Sequence, residues 1–389
     1  MKKNEKNKKK RGILGWIFLI LLIVLAFAGL IAMLMSVVCS FVNPERFVWL
    51  SFFGLTYWMI LFFNLAVLLL LLLMRSRWAW LPVLTLMVAV PGISKSLSIG
   101  KQRDNGELRV MSYNVLNFSN QFNSEKSKEE VAADIAEMVK EYSPDVLCLQ
   151  EYMDITTIKS KNKREVNIKK LGEMLEMPYH HYNTTSNFGC NVIFSKYPLS
   201  ALKEDIPFAK ENVYGTVAMV DAGDKGVFYV LCCHLVSNQL TDQEVTVFSE
   251  RNNSKEQVEE YGKSIVQKLK TAYVKRSEEV VSMLGDIPND GRPILLCGDF
   301  NDTPMSYTYH LIRKAGFNDS FIKAGRGIGY TYAGKLPLLR IDYVWTNESI
   351  KPVSFQRIKY KGSDHYPIML SFNLSKEEGL NESKEEDGL

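Results

Sequence analysis

Residues 13–38 form an uncharged run of 26 residues, and nothing else in the chain restricts its fold as tightly. About 20 apolar residues cross the hydrocarbon core of a bilayer, and a segment there must satisfy its own backbone polar groups, which selects a helix. A second uncharged run covers 50–74, and a third, 78–93, is shorter and holds Pro82 and Pro91. The first two predict transmembrane helices. The third predicts a span if its helix continues through 94–97 with Lys95 reaching back to the headgroups. The Trp78/Trp80 belt would help it to span, and otherwise it predicts an interfacial segment. Its prolines do not decide between these, since Pro82 falls in the first turns and Pro91 near the exit. The length of the first run, and the runs behind it, argue against a cleaved leader.

Orientation follows from the placement of Lys and Arg. The basic tract 1–12 and the Arg75/Arg77 pair predict cytoplasmic faces, while 43–46, with one charge of each sign, predicts an outward turn. Three spans deliver residue 100 onward to the outside of the membrane; two would leave it in the cytoplasm. The expected organisation is a basic tail 1–12, a transmembrane region 13–99, a catalytic domain 100–375 and an acidic, disordered tail 376–389.

Charge separates these parts. Residues 1–99 carry 11 Lys and Arg against 2 acids, 100–375 carry 34 against 35, and 376–389 carry 2 against 6. The middle part is nearly neutral, so it lacks the global positive excess that drives non-specific nucleic-acid binding. A local basic groove stays compatible with that balance. Cys39 ends the first apolar run, and Cys148, Cys190, Cys232, Cys233 and Cys297 lie in or beside short apolar segments. Free cysteine packs as a small hydrophobe, and these spacings match neither a zinc motif nor a disulfide framework.

From residue 108 the pattern becomes short apolar strands alternating with amphipathic helices, over 108–115, 145–150, 191–194, 215–220, 227–232, 293–297, 341–345 and 367–372 for the strands. A helix over 127–142 opens on a Ser127-x-x-Glu130 capping box, with Val131, Ile135, Met138 and Val139 on one face. The polar stretch 242–282 has a helical period over at least its second half. Strands mixed with helices in this way predict an α/β sandwich.

Six strand ends carry groups that do not belong in a core: Asn114, Glu151, His234, Asp299 with Asn301, Asp342, and Asp364 with His365. Burying a charge without a partner is costly. Each alone has an ordinary explanation, such as a turn cap, a paired strand charge or a core histidine. Together they form a set of oxygen and imidazole donors of the kind that binds a hard cation and a phosphate.

The succession SYNV, QE, H-L, GDFND, RIDYV, SDHYP resembles the endonuclease/exonuclease/phosphatase superfamily over about 108–372. That deoxyribonuclease-like group also includes abasic-site endonucleases, neutral sphingomyelinases and inositol polyphosphate phosphatases. The resemblance implies an α/β fold, a four-layer sandwich of two mixed β-sheets flanked by helices, here preceded by an all-α transmembrane region of two to three helices. It implies that Asn114, Glu151 and Asp364 resemble the metal-side residues, with Mg²⁺ as the cofactor and Mn²⁺ as a substitute. Asp299 resembles the group that orients or deprotonates the attacking water, and Asn301 a ligand of the phosphate or of that water. His365 resembles the histidine that contacts the phosphate, and Asp342 the carboxylate that sets its tautomer. His234 resembles the extra histidine of the deoxyribonuclease, sphingomyelinase and inositol phosphatase branches, where abasic-site endonucleases have a tyrosine. Tyr332 and Arg340 are candidates for lining the substrate groove, Arg340 being equally open to a structural ion pair.

The chemistry explains the set. A phosphodiester is anionic and repels hydroxide, so a site must neutralise it while activating water. The expected activity is a membrane-anchored phosphodiesterase acting on nucleic acid or on a phospholipid or glycolipid head group, with the bilayer as a partner. The alternative is a catalytically inactive binding or scaffolding domain on a membrane tether. The presence of Glu151, Asp299, Asp364 and His365 opposes it.

Overall fold

The structure, a computed structural model, describes residues 12–100, 106–119, 125–157, 162–182, 190–202, 214–246, 254–334 and 338–375. The acidic tail and, but for Gly12, the basic tail lie outside the described residues. The chain forms two compact units, Met1–Ser94 with Met305–Tyr307, and Lys95–Pro304 with Thr308–Leu389.

The first unit is helical: α1 (Ile13–Val38), α2 (Pro44–Phe47), α3 (Trp49–Leu55), α4 (Tyr57–Leu73) and α5 (Trp80–Ser96). With their 3₁₀ extensions, Ile13–Phe41 and Arg77–Ser96 are long and apolar enough to cross a membrane, at 29 and 20 residues. The second of these measures ~30 Å at 1.5 Å per residue, the thickness of a hydrocarbon core.

The expectation of one helix over 50–74 is corrected. α3 and α4 meet at a 65° bend, so the pair makes at most one span. Thr56 at the break has φ −90° and ψ 11°, and its hydroxyl donates back to the Phe52 carbonyl at 2.8 Å. Such back-bonding beside a glycine, here Gly54, bends helices.

Gly29 permits the close approach of α1 and α4, since a Cβ there would lie 2.3 Å from Asn64 Oδ1. Outward positions such as Leu73, Met87 and Met59 are largely exposed leucine and methionine. Apolar surface of that extent marks an interaction surface, and on helices this long it suggests membrane association.

The second unit runs β1 (Leu97–Ile99), β2 (Leu108–Asn114), α6 (Lys128–Tyr142), β3 (Val146–Tyr152), α7 (Lys163–Leu175), β4 (Tyr179–Tyr182), β5 (Cys190–Ser195), β6 (Leu199–Ala201), β7 (Gly215–Asp221) and β8 (Val227–His234). It continues with α8 (Asp242–Thr246), α9 (Lys255–Asp286), β9 (Ile294–Asp299), α10 (Tyr307–Lys314), β10 (Asn318–Asp319), α11 (Ser320–Ala324), β11 (Arg326–Ile328), β12 (Asp342–Thr346), β13 (Ile350–Arg357) and β14 (Ile368–Leu374). One six-stranded sheet has the order β13-β14-β2-β3-β5-β4 and the other β10-β12-β9-β8-β7-β6. β2 with β3 and β8 with β9 are parallel, and the other pairs are antiparallel, so both sheets are mixed.

Strand alternation builds the layers. Met111, Tyr113, Leu147 and Leu149 face α6 and α7, packing on Val131, Ile135, Ile168 and Leu171. Val110, Val146 and Cys148 point the other way, onto Val230, Cys232, Leu295 and Cys297 of the second sheet. The far face of that sheet packs Leu231, Leu296 and Trp345 against Val280, Met283 and Ile312 of α9 and α10. Helix, sheet, sheet and helix are therefore stacked in four layers, as the sequence implied. Both faces of each sheet are covered, which is why the strands read as nearly continuous apolar runs. All six cysteines are buried and outside any disulfide, and Ser127 and Glu130 close the expected capping box.

Candidate active site

The C-terminal ends of the two parallel pairs deliver Asn114 and Glu151 from one sheet and His234 and Asp299 from the other. β12 brings Asp342 into register opposite Asp299, and the turn before β14 supplies Asp364 and His365. Two backbone devices aim these groups. Gly298 has φ 143°, and a Cβ there would fall 1.9 Å from the Cys233 carbonyl, so only glycine lets β9 lie against β8 with His234 level with Asp299. Glu151 has φ 56° and sits where the β3–β5 register shifts between Leu149 and Tyr152. That bulge redirects its carboxylate. Gln150 points between the sheets instead, donating to Ser112 Oγ at 3.2 Å.

Asp299 is the hub. Asn114 Nδ2 donates to Asp299 Oδ2 at 3.1 Å and to Glu151 Oε1 at 3.0 Å, tying the two sheets together. The Asn301 amide donates to Asp299 Oδ1 at 2.8 Å, and the Asn301 side chain donates to the Leu235 carbonyl at 3.0 Å. His365 Nε2 stands 3.6 Å from Asp299 Oδ2, and His234 Nε2 stands 3.8 Å from it and 3.5 Å from Glu151 Oε1. Behind His365, its Nδ1 faces both oxygens of Asp342, at 2.9 and 3.1 Å. Buried His234 Nε2 makes no hydrogen bond with the described residues. Asp299, Asp342 and His365 each bring one ligand atom within 4.8 Å of the others, a buried group that could hold a metal ion.

Asp299, Asp364 and His365 are all raised above their ordinary values, by different causes. Burial pushes the Asp299 carboxyl above its ordinary range, His365 offsetting part of that. Burial likewise raises Asp364, with the charges of Glu151 and Asp299 adding to it. For His365 burial alone would lower the imidazole, but Asp342, Asp299 and Asp364 outweigh it and hold it well above 6.5. The imidazole of His365 and the carboxyl of Asp299 thus both hold their protons more tightly than they would in water.

One expectation needs correction. Arg340 does not line a groove: it is 3% exposed, donates to Asp319 Oδ2 at 2.7 Å and lies over the rings of Tyr343 and Phe321. Its strand position resembled that of a site residue, but the guanidinium has a buried acid to neutralise. Asn114 bridges Glu151 and Asp299 through Nδ2, and its Oδ1 accepts from the Leu116 amide at 3.0 Å. Tyr332 does come to the site, its ring centroid 5.5 Å from that of His365.

Sequence reasoning missed the backing on α9. Ser264, Lys268, Arg276 and Glu279 recur at helical spacing and all bind the segment that follows His234. Ser264 and Lys268 donate to Glu244 at 2.6 and 2.8 Å. Burial would raise that carboxyl, but these partners with Thr241 hold it at about 2. Arg276 Nη1 donates to the Val236 carbonyl at 3.1 Å and to Asn238 at 2.9 Å, while Glu279 accepts from the Val236 amide at 2.8 Å. Arg276 Nε also lies 3.5 Å from Asp302, so one buried guanidinium braces the loops behind both His234 and Asn301. The 3.6-residue period of polar groups in 242–282 was the available signal. Replacing Arg276 with methionine removes its bonds to Val236 and Asn238 and takes a buried charge from beside Asp302, and is expected to destabilise the fold by ~3–5 kcal/mol. Denaturant unfolding of the full chain in detergent measures it, and an unchanged midpoint would contradict the bracing role.

A model of the Endonuclease/Exonuclease/phosphatase family matches residues 111–365, and a model of a domain of unknown function matches 15–96. The uncharacterised protein YbhP of Escherichia coli strain K12 is 32% identical over 88 residues, 22% of this chain and 35% of that protein. The match thus spans about a third of that relative's length. Among solved structures, an endonuclease/exonuclease/phosphatase from Beutenbergia cavernae is 17% identical with a TM-score of 0.48, covering 70% of this chain and 72% of that one. The human Nocturnin catalytic domain, solved with bound sulfate, is 18% identical with a TM-score of 0.45, covering 70% and 96%.

Proposed function

This chain belongs to the endonuclease/exonuclease/phosphatase family, and on that premise we propose that it is a membrane-anchored, metal-dependent hydrolase of phosphodiesters. One observation carries the reading. A buried carboxylate, Asp299, stands between two imidazoles, with Nε2 atoms at 3.6 and 3.8 Å, and one imidazole is backed by a second buried carboxylate, Asp342.

The donor set fits a hard divalent cation. Glu151 and Asp364 offer oxygens at the partly exposed rim of the site, with side chains 19% and 18% exposed. Neighbouring like charge contributes to raising Asp364, and a bound cation would reverse that effect. Oxygen ligands without thiolates favour Mg²⁺ or Mn²⁺. We assign the ion to Glu151 and Asp364, with Asn114 fixing Glu151, because both Asp342 oxygens already face His365 Nδ1. When bound, the ion supplies charge neutralisation at the phosphoryl oxygens.

The remaining roles belong to the protein. Asp299 takes the proton of the attacking water as its oxygen bonds to phosphorus and the ester P–O bond breaks. His365, held by Asp342, contacts the phosphate anion. His234 Nε2, free of hydrogen bonds to the described residues, is placed to protonate the leaving oxygen. Asn301 orients the phosphate or the water. Tyr332 borders the substrate.

The substrate is a nucleic acid or a lipid head group. The test is a panel of DNA, RNA, sphingomyelin, phosphatidylinositol and inositol phosphates, offered with Mg²⁺ to the full chain in mixed micelles. Turnover of at least one supports the reading. Turnover of none by folded protein sinks it and favours the inactive scaffold.

We place the catalytic unit outside the cytoplasm. The 20-residue helix Arg77–Ser96 and the positions of Arg75 and Arg77 support a third crossing. A C-terminal alkaline phosphatase fusion is then expected to be active and a green fluorescent protein fusion dark. The opposite pattern would return the unit to the cytoplasm.

A further inference from the structure

β1 and β11 form a two-stranded antiparallel ribbon separate from both sheets, pairing Leu97 with Ile328, Ser98 with Gly327 and Ile99 with Arg326. Its two faces differ sharply. On the inner face Ser98 is buried, and its hydroxyl donates to the Gly325 carbonyl at 2.8 Å. A Cβ at Gly100 would stand 2.6 Å from the same carbonyl. The ribbon is therefore pinned against the end of α11.

The outer face is exposed. Leu97 is 41% exposed, Ile328 42% and Ile99 92%, and strand alternation puts all three side chains together. Single exposed apolar residues are ordinary, but three on one face of a pinned ribbon form a patch that calls for a partner.

The surroundings identify that partner. Exposed Lys323 and Arg326 flank the apolar residues, and neither 95–100 nor 320–328 contains an acid. An apolar face edged with basic side chains matches the interfacial zone of an anionic bilayer. Chain continuity agrees, because the candidate membrane helix ends at Ser96 and β1 begins at the next residue. Three residues extend at most ~10 Å, so Ile99 cannot leave the neighbourhood of that helix end. In the other direction, Ile328 precedes Tyr332 by four residues, a reach of at most ~14 Å, and the Tyr332 ring touches His365.

We propose that the outer face of the β1–β11 ribbon seats in the interfacial zone of an anionic phospholipid bilayer and thereby presents the active site to lipid head groups as its substrate class. The contact rests on the ribbon alone; the substrate half rests on the hydrolase reading given above.

Both halves are testable in the full chain reconstituted into phosphatidylcholine–phosphatidylglycerol vesicles. Since the six native cysteines are buried, Ile99→Cys and Ile328→Cys accept a polarity-sensitive fluorophore, with exposed Val281→Cys on α9 as the aqueous control. The ribbon probes are expected to be blue-shifted and quenched by brominated phospholipid several-fold more than the control. Ribbon probes as aqueous and unquenched as the control overturn the contact. Ile99→Asp combined with Ile328→Asp is expected to lower turnover of vesicle phospholipid several-fold while leaving bis-p-nitrophenyl phosphate turnover unchanged. Equal turnover of vesicle lipid by variant and parent, or an equal loss on both substrates, overturns the substrate half. If the parent hydrolyses neither substrate, the hydrolase reading fails and the substrate half falls with it, while the quenching result still decides the contact.

Discussion

Asp299→Asn is expected to lose about 10²–10⁴-fold in turnover while the chain keeps its melting temperature. The loss follows from position. Asp299 is the only carboxylate among the described residues that receives hydrogen bonds from both Asn114 and Asn301 while facing the Nε2 atoms of His365 and His234. Stability behaves differently because of the sign of the shift. The carboxyl is raised above its unfolded value of 3.8, chiefly by burial, so folding takes up a proton between the two values and stability falls as pH rises through that window. Above that window the shift works against the fold, and asparagine relieves it. Against the relief stands one hydrogen bond, since an asparagine amide would meet the Asn114 donor. The two effects oppose each other. Thermal melts beside initial rates measure both, and a variant that unfolds as it loses activity would mean Asp299 is structural.

His365→Ala is expected to lower turnover by about 10²–10⁴-fold, the contribution of a positioned acid or base. Asp342→Asn should fall in the same range, and the double variant no lower than His365→Ala alone. Both Asp342 oxygens face His365 Nδ1. Once the imidazole is gone its orienting role has no object, and residues that act as a unit are not additive. In Asp342→Asn the surviving imidazole also loses one of the charges that hold it well above 6.5, which moves the corresponding limb of the pH–rate profile toward lower pH. Independent, multiplicative losses in the double variant would contradict the dyad. Thr331 receives the Asp342 amide at 3.1 Å, so backbone support for this position is independent of the side chain.

Much of this arrangement was legible because burying charge is costly. Asn114, Glu151, His234, Asp299, Asp342 and His365 stood out at apolar strand ends, and the structure brings them together across two sheets. The capping box at Ser127 was legible because its chemistry is local. The break at Thr56 was not: nothing in an uncharged run distinguishes a helix from two helices joined at a back-bonded threonine. Arg340 stayed open between a groove and an ion pair because sequence shows a cation beside Asp342 without showing Asp319 beneath it. Arg276 was passed over because attention to strand ends ignores a helix whose polar face turns inward. The 97–99 segment read as the tail of the membrane region, and only its pairing with β11 assigns it to the second unit.

The central claim is tested most directly by hydrolysis of bis-p-nitrophenyl phosphate by the full chain after exhaustive chelation and again after addition of Mg²⁺. The account predicts no turnover in the chelated protein and recovery with Mg²⁺ or Mn²⁺, abolished in Glu151→Gln. Undiminished turnover after chelation, or full metal-restored turnover in Glu151→Gln, would contradict it.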